Sequence, residues 1–251
     1  MSSLKKGVQR VPNKVRKPDF EAIRNTAICM LHIEPTPSTQ FQGFLVYHPF
    51  YNSVFLSLYD KDTNTMEPIN CFDKEKYPKW VANMESNLKS FNNIYQIFMT
   101  MNSAYLMNFL RLTYQQFNND YEELAKALRY CWSYQEFPNW TERGRALQTV
   151  KKLFRLTRKH FMDPEELEYY NSLPEVVTVY RGQSHPCKYY NALSWTDDYE
   201  KAVWFSKRFE GGPLYQATIE KKYIYAYNNE RGESELILDY TKLQDLKEIQ
   251  K

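Results

Sequence analysis

Apolar and polar positions alternate with a period near two in the first third of the chain, with a helical period in the middle, and with a period near two again after residue 175. Runs 41–47 and 53–59 are aromatic and β-branched, and they flank His48-Pro49-Phe50-Tyr51-Asn52. They predict a hairpin, with a polar turn at 60–64 and a third strand over 66–72. The preceding stretch, 21–33, is mostly apolar and fits either a short helix or a strand, and Pro35 to Ser38 read as a loop.

Helix follows. Trp80, Val81, Met84 and Leu88 recur at helical spacing within 74–91. Residues 94–117 are rich in Met, Leu and Phe and predict one or two buried helices. Asn119-Asp120 caps a helix over 121–134 with Leu124, Leu128 and Cys131 on one face, and Pro138 ends it. Thr141 is the expected cap of a basic helix with Leu147, Val150, Leu153, Phe154 and Phe161 on its apolar side. Asp163-Pro164-Glu165 opens another helix, running to Asn171. From Val176 the predicted order is strand, short strand, helix over 199–209 capped by Asp197-Asp198, two alternating runs at 214–219 and 222–227, and a strand over 235–238.

Length adds little to this pattern: 251 residues allow one large domain or two small ones. The natural division is a basic extended arm over 1–18, a hairpin and helical part over 19–174, and a β-rich part over 175–251 packed with it as one unit. A hydrophobic content of 43 % and a charged content of 25 % are ordinary for a globular chain. The four cysteines, Cys29, Cys71, Cys131 and Cys187, are far apart and form no CxxC. They read as reduced thiols in a cytoplasmic protein. The four histidines show no metal-ligand spacing, so no metal site is expected. No apolar run approaches the ~20 residues of a membrane helix, and the basic N-terminus lacks the apolar stretch of a secretory signal. No membrane association is expected.

Charge changes the picture locally. The net charge is only +3, yet residues 1–17 and 143–159 are basic and free of acids. Such clusters either bind phosphates or form a solvated arm and a solvated helix face.

Candidate chemistry is confined to the last third. Tyr180-Arg181-Gly182 ends one strand, Ser194-Trp195-Thr196 forms another, and Glu233-Ser234-Glu235 heads a third. A planar guanidinium at Arg181 suits a phosphate. Gly182 lets a backbone approach closely, or is a plain turn glycine. Ser194 and Thr196 are either site hydroxyls or caps of the next helix. Glu233 and Glu235, two apart in a strand-like segment, share one side. No GxGxxG fingerprint is present.

In order and spacing, the set YRG … LSWT … AVWFSKRF … ESELIL resembles the mono-ADP-ribosyltransferases of the Arg–Ser–Glu group, in the version of their bacterial and phage-associated members. The resemblance covers residues 176–240. It implies an α+β fold with an ADP-ribosyltransferase-like split antiparallel sheet and a helix-rich N-terminal part. It implies NAD as the substrate whose nicotinamide–ribose bond is cleaved, and an RNA base or a protein arginine as acceptor. Glu235 would stabilise the oxocarbenium-like ribose, Ser194 would orient Glu235 with Thr196 in support, and Glu233 would activate the acceptor. Arg181 would grip a phosphate or ribose edge, Gly182 would read the carboxamide, and Tyr180 belongs to the same motif. Phe209 is the favoured nicotinamide stacker and Arg208 a phosphate contact, with core packing and a solvated surface as their alternatives. Some such proteins are toxins in toxin–antitoxin or phage-defence systems, which implies a neutralising antitoxin partner. An NAD glycohydrolase and a non-catalytic binding module are the competing readings.

Overall fold

The computed structural model describes residues 16–39, 43–60, 63–136, 143–184 and 190–250. The arm expected over 1–18 lies outside these up to residue 15, as do Pro138, Thr141, His185 and Cys187. Arg16 and Lys17 are fastened down. The Arg16 amide donates to the Asn118 carbonyl at 3.4 Å, and the Asn118 side chain donates to the Lys17 carbonyl at 3.0 Å.

The undecided stretch at 21–33 is a helix, α1 (Phe20–Leu31), started by Asp19, whose carboxylate accepts from the Ala22 amide. The β-type residues after it pair differently from the expected hairpin. Strands β1 (Thr36–Pro37), β2 (Leu45–His48) and β3 (Tyr51–Ser53) form one small sheet, while β4 (Phe55–Asp60) pairs with β5 (Thr65–Asn70) in another. His48 causes the break. It is fully buried, its Nδ1 accepts from the Phe50 amide at 3.1 Å, and its Nε2 faces the Leu31 carbonyl at 3.2 Å. That turn sends the chain straight into β3, so the run at 53–59 takes the following strand as its partner.

The helical part comprises α2 (Tyr77–Ser90), α3 (Ile94–Thr100), α4 (Leu106–Thr113), α5 (Tyr121–Tyr134), α6 (Gly144–Phe161) and α7 (Pro164–Ser172). Capping sets the boundaries. Asn93 with Gln96 and Asp163 with Glu166 form reciprocal capping boxes, and Asp120 accepts from the Glu123 amide. Helix α6 starts at Gly144 behind Arg143, with no side-chain cap.

The C-terminal part is one six-stranded antiparallel sheet. Its strands are β6 (Val176–Gly182), β7 (Ser194–Thr196), β8 (Leu214–Glu220), β9 (Ile224–Asn228), β10 (Glu235–Leu238) and β11 (Gln244–Ile249), in the spatial order β11-β8-β6-β7-β10-β9. The fold is therefore α+β, as expected. Strand β11 was not expected; it adds to the free edge of β8. Helix α8 (Tyr199–Lys207) bridges β7 and β8 in sequence and ends two residues earlier than its pattern suggests.

Two cores meet at this sheet. Leu193, Tyr225, Ala226 and Ile237 join the core of helices α1 to α6, whereas Trp195, Tyr227, Leu236 and Leu238 join Tyr170 and Leu173 from the α7 region on the other side. Strands β9 and β10 are thus covered on both faces, which is why IYAY and LIL read as unbroken apolar runs. Among the described residues no helix is long and apolar enough to cross a membrane.

Candidate active site

The sheet changes character between β6 and β7. Strands β6 and β8 pair over seven residues, from Val176↔Glu220 to Gly182↔Leu214, but β6 and β7 share the single pair Tyr180↔Thr196. Beyond that pair the strands part and a cleft opens. Tyr180, Arg181, Gly182, Ser194, Thr196, Phe205, Glu233 and Glu235 are among the residues lining it. Its volume, about 180 Å³, is below the ~300–1,000 Å³ of sites that enclose a drug-sized ligand.

Register explains why these residues meet. Glu235 lies opposite Thr196 on one side and Asn228 on the other, and Ser194 lies opposite Ile237. Residues two apart on a strand share a face, so Ser194, Thr196, Asn228 and Glu235 converge. Trp195 and Leu236 face the opposite core, where the Trp195 indole donates to the Ala192 carbonyl at 2.9 Å.

The Glu235 carboxyl is enclosed. Its Oε2 accepts from the Trp132 indole Nε1 at 2.9 Å and from the Asn228 amide at 3.0 Å, and the Ser194 side chain is a further hydrogen-bond partner. Burial raises its pKa above the ordinary carboxylate range; the hydrogen bonds from Ser194, Asn228 and Trp132 oppose that rise, and the nearby Glu233 adds to it. Arg181 is pinned from behind, its guanidinium donating to the Ser194 carbonyl. Thr196 does the capping work: its Oγ1 accepts from the Asp198 amide at 3.1 Å, and Asp198 caps α8 through the Lys201 amide.

Comparison of the chain with known protein families, characterised proteins and solved structures finds no match.

Seven of the nine residues singled out in the sequence therefore line one cleft, and three details differ from expectation. Glu233 is not in a strand. It sits in the turn before β10, Ser234 after it has a left-handed φ of 50°, and Arg231 approaches it at 3.4 Å. Arg208 and Phe209 are not among the cleft-lining residues. Because α8 stops at Lys207, Arg208 packs against the rings of Trp204, Phe205 and Phe209, and Phe209, at φ 50°, is 71 % exposed. Phe205, one helical turn earlier, lines the cleft instead, together with Tyr180 and Trp195. Gly182 is a glycine for a packing reason: a Cβ there would lie 1.9 Å from the Ala202 carbonyl oxygen and 2.5 Å from the Ser206 amide nitrogen.

Two partners of Glu235 were not expected: Asn228, read only as the start of a polar turn over 228–232 that would face the acceptor, and Trp132. Asn228 is the last residue of β9, and Trp132 belongs to α5, in the part of the chain with no recognisable motif. Nothing in the sequence distinguishes Trp132 from its core neighbours. Among the described residues, no group of three or more His, Cys, Asp and Glu side chains is placed to hold a metal ion.

Proposed function

We propose that this chain is an NAD-dependent mono-ADP-ribosyltransferase. The observation that carries the reading is a half-buried carboxylate, Glu235, held by three side chains in the lining of a cleft that Arg181 and the second carboxylate, Glu233, also line. The donor set fits one end of NAD. Arg181 matches a phosphate or ribose oxygen, Phe205 offers an aromatic face to nicotinamide, and the cleft takes in the nicotinamide riboside while the adenosine end stays outside.

In this reading the bond between the nicotinamide nitrogen and the ribose C1′ breaks, and its electron pair leaves with neutral nicotinamide. The ribose is left electron-poor, and the ionised Glu235 lies beside it, as a carboxylate does in glycoside hydrolysis. The acceptor's nucleophile then bonds to C1′ and gives its proton to Glu233. The acceptor is an RNA base or a protein arginine, since either presents an N–C=N edge to Glu233.

The test is incubation of the purified protein with labelled NAD and a cell lysate, split into RNase-treated and protease-treated halves. Wild type is expected to release nicotinamide and transfer label, and Glu235→Gln to lower the rate by at least about a hundredfold. Label sensitive to RNase identifies RNA, and label sensitive to protease identifies protein. Nicotinamide release without transfer makes the protein a glycohydrolase. Intact NAD with both proteins overturns the reading.

A further inference from the structure

Glu235 belongs to the C-terminal sheet, yet one of its hydrogen bonds comes from the helical part. Buried tryptophans need a partner for the indole N–H, and the chain shows two solutions. Trp195 takes a backbone carbonyl, Ala192. Trp132, 6 % exposed and with Phe154 edge-on at 5.0 Å, takes Glu235 Oε2. Asn228 donates to the same oxygen, and also to the Ser133 hydroxyl at 3.4 Å. Ser133 in turn donates to Glu230 at 2.9 Å, and Arg129 binds both Glu230 and Glu166. Thus consecutive residues of α5 brace the carboxylate and the turn that carries Glu233.

We infer that Trp132 and Asn228 are positioning residues, clamping Oε2 so that the Glu235 carboxylate stays aimed into the cleft, and that α5 is thereby part of the active site. Two N–H donors on one oxygen fix the carboxylate against rotation. They also favour its charged form, which burial opposes. The inference deepens the proposed transferase reading and rests on it only for the catalytic readout.

The experiment compares wild type with Trp132→Phe and Asn228→Ala, and with Trp80→Phe as a control for loss of a buried indole elsewhere in the helical core. Ionisation of Glu235 is followed by carbon-13 NMR of the carboxyl group, with Glu235→Gln identifying the resonance. Nicotinamide release from NAD is measured against pH. In Trp132→Phe and Asn228→Ala the Glu235 titration and the acid limb of the rate profile are expected to move to higher pH. kcat is expected to fall roughly tenfold or more, the scale of a lost hydrogen bond to a charged group, with KM for NAD little changed. Trp80→Phe is expected to leave both pH midpoints in place. Unmoved Glu235 midpoints in both site variants overturn the inference, as does an equal shift in Trp80→Phe. Midpoints that shift as expected in a protein that leaves NAD intact support the clamp while refuting the transferase reading.

Discussion

At the scale of single residues, Gly182 carries a constraint that its sequence neighbours do not report. It sits beside the reactive residues, and close approach to a ligand is a natural account of a glycine there. The structure shows a close approach by α8, whose Ala202 carbonyl and Ser206 amide occupy the space of a side chain. Ala202 is twenty positions away in sequence, and no local pattern reports that distance. Gly182→Ala is therefore expected to destabilise the fold by about 1–3 kcal/mol or more, since backbone on both sides must shift, and thermal unfolding measures it. Arg181, Ser194 and Glu235 were legible for the opposite reason. All three line the cleft, and their convergence follows from alternation along the short strands that carry them. Trp132 was not legible, because a tryptophan at helical spacing looks the same whether its N–H meets a carbonyl or a carboxylate.

At the scale of elements, α6 departs most from the view its sequence gives. Its bases read as a phosphate-binding stripe or a solvated face; Lys152, Arg155 and Lys159 are exposed, but Lys151 turns inward. Lys151 is 4 % exposed and pairs with Asp239 just after β10, at 2.5 Å. Arg155 and Arg158 lie over the rings of Tyr225 and Tyr170, and Lys152 over Tyr114. Burial would raise the Asp239 pKa, yet its hydrogen bonds to Lys151 and Thr241 outweigh that and hold it below the ordinary carboxylate range. Lys151→Met keeps much of the volume and strands the Asp239 charge. The expected cost is about 3–5 kcal/mol, read as a lowered urea midpoint, and Lys151→Met/Asp239→Leu is expected to recover most of it. Helix positions and caps were visible in the sequence because periodicity and capping are local. The burial of Lys151 was not, because it depends on the Asp239 carboxylate that lies across from it.

At the scale of the whole molecule, stability is tied to pH through His48. Burial lowers its pKa to about 4 from 6.5, against the opposing hydrogen bonds to the Leu31 and Ile33 backbone. The unfolded chain takes up this proton near pH 6.5 and the folded chain only near 4, so the contribution of His48 is full above pH 6.5 and is lost as pH falls toward 4. The loss amounts to about 3 kcal/mol at most. Chemical denaturation at pH 7 and pH 4.5 is expected to show it, and His48→Gln to flatten that part of the curve. The overall α+β class was legible from the change of period at residue 176. The division of β1 to β5 into two small sheets and the addition of β11 were not, since short β-type runs do not name their partners.

The single residue pair joining β6 to β7 gives the sheet an uneven stiffness. Strands β11, β8 and β6 form one continuous ladder, and β7, β10 and β9 form another. Between them only Tyr180 and Thr196 are in register. Torsion between the two ladders can therefore open or narrow the cleft while every long ladder keeps its hydrogen bonds. Arg181 rides on one plate and Glu235 on the other, and Ser194 links them, taking the Arg181 guanidinium on its carbonyl and meeting Glu235 with its side chain, so the spacing between guanidinium and carboxylate is set at that one residue.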